Sequence, residues 1–549
     1  MRYFYLALYT AFISLASGAA AFLASFRWFP IAEMLRSALV GLPLLGLVLL
    51  LPPKAAAWVV ILAALPLLAF AFVSVMHIAL YGSDISPAAV RSTLETSPME
   101  ALEFLGEYVT LPNAAVALAL CGVFAWLLFK AFNASKTIRR NRLTAGAALL
   151  LLCVPAWLAW SKGDRLLRSY TPYVIAGVLA SHQEDLAKIN ALRDTRKNLH
   201  FSGVSLLDGD SEEPRTYVFV IGESAGRNHM SLYGYKRPTT PVMEALAASG
   251  MLVFTDAVSY STHTIPSLRS TLLFHDLDGA ENILKARSLI GLFNDAGFAT
   301  YWLSNQTASS DGLTGTAVIA GDAMRTVFLN RASHEGKSTS RDDVMLPALE
   351  EALAYPAPRK AVFLHLIGSH LSYGLRYPRD FARFTKTDDI ADAPWRKDRD
   401  KRYINEYDNS ILFTDTVVGA IMRRVTEAPG RNLALYFSDH GQEVYDTRPM
   451  RGQDARNPTR YMLDIPFVCM VSDGYRTANP EFFLRMAEAV DRPFSLANFA
   501  QSAAELARID FAGFTPERSL FSPGYKPGGR MLENGGVYDD LPPLESGKE

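Results

Sequence analysis

Residues 433–441 read Leu433-Ala-Leu-Tyr-Phe-Ser-Asp439-His440-Gly441, an apolar run of the kind that forms a buried strand, and it ends on two adjacent metal-ligand side chains. A second run, Thr216-Tyr-Val-Phe-Val-Ile-Gly-Glu223-Ser224, delivers a carboxylate in the same way. Strands apolar on both faces belong to parallel sheets, whose sites lie beyond the strands' carboxyl ends. A buried carboxylate at such a place needs a charge partner. Glu223, Asp439 and His440 together form a hard-plus-imidazole set suited to zinc or manganese. Taken alone, Ser438-Asp-His-Gly441 reads equally as a strand-to-turn junction whose polar residues serve turn chemistry. The two runs are far apart in the chain, so only the fold can unite them.

Further strand-like runs fall at about 251–258, 298–304, 361–368 and 465–472, with helical patterns between them. Thr240-Pro241 reads as a cap with proline in the first turn, opening a helix to Ala248. The longest helical pattern covers about 403–426. Strands separated by helices predict an α/β domain with a mostly parallel central sheet covered on both faces. After about residue 522 the chain is rich in Pro and Gly, shows no periodicity and receives no chemistry.

With 549 residues, 50% of them hydrophobic, the chain is too long for one core and too apolar for an ordinary soluble enzyme. The excess lies at the amino end, in apolar stretches at about 4–26, 35–52, 56–80, 113–132 and 144–161, each near the length of a membrane-crossing helix. Arg2, Lys54 and the cluster Lys136, Arg139, Arg140, Arg142 fall in every second connection, which the positive-inside rule makes cytoplasmic. Asp84, Glu95, Glu100, Glu103 and Glu107 mark the connection between spans three and four as external. The expected organisation is a transmembrane domain of five helices over 1–161, an amphipathic connector over 162–214, and an external domain over 215–549. In a Gram-negative bacterium that places the chain in the inner membrane, with membrane lipids as neighbours and its large domain in the periplasm. Three cysteines, Cys121, Cys153 and Cys469, make no disulfide framework. A net charge of −1 gives no sign of nucleic-acid binding.

After the run 251–258 comes Ser259-Tyr-Ser-Thr-His-Thr264-Ile-Pro-Ser267-Leu-Arg269. A hydroxyl at a helix start gains from the free amides and positive end, which also favour an arriving phosphate. Thr264 is best placed, although the same residue and Pro266 also suit a plain helix N-cap.

At this point the residues resemble the membrane-anchored phosphoethanolamine transferases of the alkaline phosphatase/sulfatase superfamily. Gly222-Glu223-Ser-Ala-Gly-Arg227-Asn-His-Met-Ser-Leu-Tyr-Gly-Tyr235, Leu364-His365-Leu-Ile-Gly-Ser-His370, Tyr407-Asp408-Asn409-Ser-Ile-Leu-Phe-Thr414-Asp415 and Ser438-Asp439-His440-Gly441 match that family's motifs in order. Thr264-Ile-Pro-Ser267 has the spacing of the sulfatase nucleophile turn, with threonine in place of the modified cysteine. The resemblance implies that Glu223, Thr264, Asp439 and His440 ligate one catalytic zinc, manganese being the alternative. It implies that Thr264 is the nucleophile and that His370 contacts phosphate, binds a second zinc or moves a proton. It further implies that Asn305 orients substrate, a residue that also suits a turn after a strand, while Arg227 pairs with phosphate or forms a structural ion pair. The implied reaction carries phosphoethanolamine from phosphatidylethanolamine to lipopolysaccharide or its lipid A through a phospho-threonine intermediate.

This chain departs from the lipid A branch in two ways. No cysteines flank Thr264, and the stretch after the Asp-His pair, Gln442-Glu-Val-Tyr-Asp-Thr-Arg-Pro-Met-Arg-Gly452, lacks that branch's further histidine. A second metal is thereby left open. Ser261-Thr-His-Thr-Ile-Pro-Ser-Leu268 and Ser438-Asp-His-Gly-Gln-Glu-Val-Tyr-Asp446 resemble the branch that modifies sugars of the lipopolysaccharide core, which implies a core sugar as acceptor. The competing readings are a phosphoglycerol transferase or sulfatase-like hydrolase on the same fold and, outside enzymes, a degenerate membrane scaffold or sensor.

Overall fold

The computed structural model of the chain describes residues 1, 3–10, 31–81, 85, 87–95, 102, 111–167, 173–181, 196, 198–209, 213–274, 286–307, 315–330 and 340–544. The chain forms two compact units, one of residues 1–94 and 105–183 and one of residues 95–104 and 184–549.

The first unit is helical. Helices α1 (Ile31–Leu50), α2 (Pro53–Tyr81), α3 (Leu111–Lys136) and α4 (Arg142–Leu167) cover four of the five apolar stretches. The first stretch is helical at residues 3–10 and otherwise lies outside the described residues. A small core joins Leu6, Tyr9, Val48, Val60, Phe124 and Ala148, and the Tyr9 hydroxyl donates to the Val60 carbonyl at 2.8 Å. Large apolar side chains point outward instead, among them Leu118, Phe129, Leu150, Trp157 and Trp160. That is the reverse of a water-soluble bundle. Among the described residues one helical segment, Arg142–Ser161, is long and apolar enough to cross a membrane; Gly41–Leu50 and Pro53–Ala63 are shorter apolar segments. In the expected connector, Val174 and Val178 pack on Ile85 and Val90. Residues 168–172, 182–195, 197 and 210–212 of that connector lie outside the described residues.

The second unit is built on a seven-stranded sheet. Its strands are β1 (Arg215–Gly222), β2 (Leu252–Val253), β3 (Ala299–Thr307), β4 (Arg325–Asn330), β5 (Arg359–His365), β6 (Arg431–Ser438) and β7 (Phe467–Val471), in the order β2-β7-β6-β1-β5-β3-β4. The pairings from β6 through β1, β5 and β3 to β4 are parallel, whereas β7 runs antiparallel to both β6 and β2. The sheet is therefore mixed, with a parallel centre. Alternate side chains of each strand enter opposite cores. Tyr217, Phe219, Ile221, Leu433, Leu435 and Phe437 face one, and Val218, Val220, Ala434 and Tyr436 face the other. Covering both faces requires the continuous apolar runs seen in the sequence.

Two details depart from the sequence reading. The run 251–258 divides, because Leu252–Val253 pairs with β7 while Ala257–Val258 leaves the sheet to pair with Phe494–Ser495. Strand β4 is an additional edge strand, half exposed and paired among the described residues with β3 alone, so its apolar run, Val327-Phe-Leu329, is shorter than those of its neighbours. The long helical pattern becomes α5 (Asp398–Glu427), which is buried along one face.

Pairing of β6 with β1 sets Ser438 opposite Gly222, so the next residues, Asp439 and Glu223, emerge side by side. The chain leaving β5 folds over this junction: Leu366 N donates to Ile221 O at 2.9 Å and Ser369 N to Glu223 O at 2.9 Å. Gly368 makes the approach possible. Its φ is +49°, and a Cβ there would meet Glu223 O at 2.5 Å and Glu223 N at 2.8 Å. Gly368→Ala is therefore expected to cost roughly 1–3 kcal/mol of stability and to displace Glu223. Thermal denaturation together with zinc content of the purified chain checks both effects, and an unchanged midpoint with full zinc would contradict them.

Candidate metal centre and nucleophile

Glu223, Asp439 and His440 converge at the carboxyl edge of the sheet, with one ligand atom of each within 4.8 Å of the others. His440 Nε2 lies 3.5 Å from Glu223 Oε1 and 3.4 Å from Asp439 Oδ2. Its Nδ1 lies 2.9 Å from the Gly441 carbonyl, a contact that fixes the proton on Nδ1 and leaves the Nε2 lone pair facing the carboxylates. Asp439 Oδ1 accepts from Ser224 N at 3.0 Å and His440 N at 2.8 Å, while Oδ2 has no donor among the described residues. All three side chains are buried.

Thr264 arrives from the other side. It is the first residue of the helix Thr264–Leu272, and the cap position belongs to His263. The N-cap alternative for Thr264 is thereby excluded, since its side chain turns to the centre: Oγ1 donates to Glu223 Oε2 at 3.0 Å and lies 3.3 Å from His440 Nε2. Two serines fasten this helix to the end of β6. The hydroxyls of Ser259 and Ser267 lie 2.5 and 2.6 Å from the Asp439 carbonyl oxygen. Behind Glu223, Ser224 sits at φ 59° and donates its hydroxyl to Glu223 Oε1 at 2.6 Å. Gln442 donates to that same hydroxyl at 2.8 Å, and Tyr407 clamps the turn by accepting from Gly226 N at 2.9 Å and donating to Ser224 O at 2.7 Å.

The electrostatics fit a cation. Burial and the neighbouring Asp439 push the Glu223 carboxyl up to about 7, and burial pushes Asp439 up to about 6. Burial holds the His440 imidazole below its ordinary value, hence neutral. Two strained acids, an inward oxygen without a donor and an inward imidazole lone pair are the donor set a divalent metal of the zinc type takes. A hydroxyl completes the four donors.

Comparison with known proteins agrees. The sulfatase family profile matches residues 215–509. The phosphoethanolamine transferase EptC of Escherichia coli K12 is 31% identical over 471 residues, which cover 83% of this chain and 81% of that protein. The chain belongs to the sulfatase family, among its phosphoethanolamine transferases. The crystal structure of the periplasmic domain of Escherichia coli EptC in complex with zinc matches with a TM-score of 0.59 at 32% identity, covering 63% of this chain and 97% of that one. The integral membrane protein EptA of Neisseria meningitidis shares the fold over 94% of this chain and 97% of its own, with a TM-score of 0.64 at 19% identity.

The remaining expected site residues of this transferase occupy varied places. His370 is partly exposed on the turn held by Gly368; its Nδ1 has no partner among the described residues, and burial lowers it to about 4 against the pull of Glu223. The expectation that Asn305 orients substrate meets a different geometry. Asn305 is fully buried, donating to Asp342 Oδ1 at 2.9 Å and accepting from Ser340 at 2.6 Å. Asp342 in turn accepts from the amides of Ile367 and Gly368, both at 2.8 Å, so the amide braces the His370 turn. Arg227 takes its structural alternative, donating to the Ala257 carbonyl at 2.8 Å and lying 3.5 Å from Asp464. His365 is buried against Trp302 and is not one of the three residues whose ligand atoms converge, its ring lowered to about 3 by burial.

Several contributors had no signal in the sequence reading. Gln453 brings its Nε2 to 3.4 Å from His440 Nε2, reached only through the turn of Glu443–Val444 against Arg451–Gly452. Asp342 lies in a polar stretch without periodicity. The motif 407–415 proves to be scaffold: Asp408 receives His229, Tyr235 and Arg237, and Asp415 receives the amides of Val242 and Met243.

A pH dependence follows. Both acids are raised in the metal-free site, so below about pH 7 a cation must expel a proton from Glu223 and, below about pH 6, one from Asp439 as well. Zinc affinity is expected to fall about tenfold per pH unit from 7 to 6 and about a hundredfold per unit below that. Competition with a chelator between pH 8 and 5.5 measures this, and a flat profile would contradict it.

Proposed function

We propose that this transferase takes phosphoethanolamine from phosphatidylethanolamine and passes it, through a covalent intermediate on Thr264, to a lipopolysaccharide acceptor, with a core sugar favoured over lipid A. The observation that carries the reading is the Thr264 hydroxyl at a helix start, hydrogen-bonded to Glu223 and within 3.3 Å of His440. The neighbouring hydroxyls are engaged elsewhere. Ser261 donates to Glu533 at 2.7 Å, and Thr262 lies 2.9 Å from His263 Nδ1.

Glu223, Thr264, Asp439 and His440 would hold one zinc ion, which when bound supplies a Lewis acid that acidifies a hydroxyl and neutralises phosphoryl charge. Thr264 Oγ1 gives up its proton and attacks the donor's phosphorus while the bond to the diacylglycerol oxygen breaks; that oxygen takes up a proton and leaves as diacylglycerol, with phosphoethanolamine esterified to Thr264. The acceptor hydroxyl then displaces Thr264 and restores it. The amides at the start of Thr264–Leu272 face the non-bridging oxygens in both steps. His370, neutral at physiological pH because of its lowered pKa, takes the proton of the incoming hydroxyl. Release of diacylglycerol into a bilayer accounts for a catalytic unit tethered to apolar helices. The outward apolar side chains of α3 and α4 support a membrane-embedded amino-terminal unit, for which the proposal takes five spans and a periplasmic catalytic unit.

Incubating the chain with a phosphatidylethanolamine analogue and mapping the labelled peptide tests the chemistry. Phosphoethanolamine should appear on Thr264 and be abolished in Thr264→Ala, with lipopolysaccharide from a complemented deletion strain gaining one phosphoethanolamine mass. Label on Ser261 or Thr262 would move the nucleophile, and absence of any label or mass gain would contradict the transferase reading. Reporter fusions after residues 54, 100, 140 and 200 should read inside, outside, inside, outside. An inside signal at 200 is incompatible with a periplasmic catalytic unit.

A further inference from the structure

The Pro- and Gly-rich tail after residue 522 returns to the nucleophile loop. A tight turn, closed by pairing of Met531 with Val537, sets Leu532 and Tyr538 into a small core with Val258 and Leu463. Arg530 donates to Asp256 at 2.6 Å and pairs with Asp539. The Tyr538 hydroxyl donates to Asp464 and accepts from Arg460 at 2.6 Å. The turn is thus pinned to the two segments that flank the centre: 256–263, which leads into Thr264, and 460–464, whose Met462 carbonyl accepts from Gly441 N at 2.9 Å.

At the tip of this turn stands Glu533. Its backbone N donates to the Tyr260 carbonyl at 3.1 Å, and its Oε2 accepts the Ser261 hydroxyl at 2.7 Å. The Ser261 oxygen then accepts from His263 N at 3.1 Å, and His263 is the residue that caps the helix beginning at Thr264. On its other side Ser261 N donates to Ser259 Oγ at 3.3 Å, the hydroxyl that also reaches the Asp439 carbonyl. The chain Glu533, Ser261, His263 therefore ends one residue from the nucleophile. His263 makes no side-chain cap of its own, so this hydroxyl takes over the task of fixing the helix start. Ser261 is buried, and its hydroxyl proton must go to an acceptor; the carboxylate of Glu533 provides it.

We propose that Glu533 is a positioning residue for Thr264, acting through Ser261 to hold the hydroxyl of Thr264 in its attacking position. The inference rests on Thr264 being the nucleophile. Glu533 itself lies on the surface, so trimming its side chain opens no cavity in a core. A purely structural contact would affect stability alone, whereas a positioning contact lowers the rate of attack while leaving donor binding intact.

The test compares Glu533→Ala, Glu533→Gln and Ser261→Ala in the full chain, measuring label transfer at Thr264, donor KM, zinc content and amide hydrogen exchange over 262–268. Glu533→Ala is expected to lower kcat by about tenfold to a hundredfold, with KM within about twofold, zinc retained and exchange at the helix start accelerated. Glu533→Gln keeps an acceptor for Ser261 and should recover kcat to within about threefold of the parent, a rescue that a charge effect would not give. Ser261→Ala should match Glu533→Ala, and the double variant should be no worse than either, because both cut the same link. Wild-type kcat in a folded Glu533→Ala, additive losses in the double variant, or no rescue by glutamine would each overturn the proposal. If Glu533→Ala fails to fold, Ser261→Ala decides alone: normal kcat in that variant overturns it. A parent chain that transfers no label to Thr264 at all would instead defeat the nucleophile assignment, while the exchange measurement still reports whether Glu533 orders the helix start.

Discussion

Everything at the centre depends on the register of two parallel strands. Because Gly222 stands opposite Ser438, the residues that follow, Glu223 and Asp439, leave the sheet at the same level. Two carboxylates side by side in a buried site repel one another, and burial penalises each, which is why both are displaced upward toward neutrality. A slip of one residue would turn every side chain of one strand to the other face and separate the pair. The apolar packing of Phe219, Ile221, Leu435 and Phe437 on one face, and of Val218, Val220, Ala434 and Tyr436 on the other, forbids that slip. Hydrophobic patterning far from the chemistry thus sets the chemistry's geometry.

The surrounding residues exist to hold an arrangement that is costly by itself. Backbone amides of Ser224 and His440 occupy one oxygen of Asp439 and aim the other inward. Ser224 accepts a left-handed backbone so that its hydroxyl can support Glu223, and Tyr407 pins that turn from the helix α5. Asn305 and Asp342 brace the turn that carries His370, while Ser259 and Ser267 tie the start of the helix Thr264–Leu272 to Asp439. These contacts come from segments scattered along the sequence, and together they hold the ligand side chains at the sheet's carboxyl edge.

What was legible in the sequence follows from this division. Strands β1 and β6 are buried on both faces, so their runs stand out, and polar residues at their ends could only be site residues or turn residues. Edge strand β4 is half solvated, paired among the described residues with β3 alone, and its apolar run of Val327-Phe-Leu329 is shorter than those of its neighbours and flanked by polar residues. The break after Val253 falls at Thr255-Asp256, and it was hidden because Ala257 and Val258 beyond these two polar residues are apolar again, pairing with Phe494–Ser495 and packing near Leu463 in place of the sheet. Asn305 shows another limit: the family resemblance implies that it orients substrate, whereas here Asp342 and Ser340 engage both ends of its amide, partners that no local pattern announces. Long-range side-chain partners leave no local pattern, and for the same reason the tail around Glu533 read as featureless although it reaches the loop before Thr264.

The central claim is that one metal site, assembled by strand register, includes the nucleophile as a ligand. Diffraction from crystals of the zinc-loaded chain, recorded on either side of the zinc absorption edge, locates the ion directly. The account predicts one anomalous peak within bonding distance of Glu223, Thr264, Asp439 and His440. A peak held by other residues, or one from which Thr264 is excluded, would contradict it.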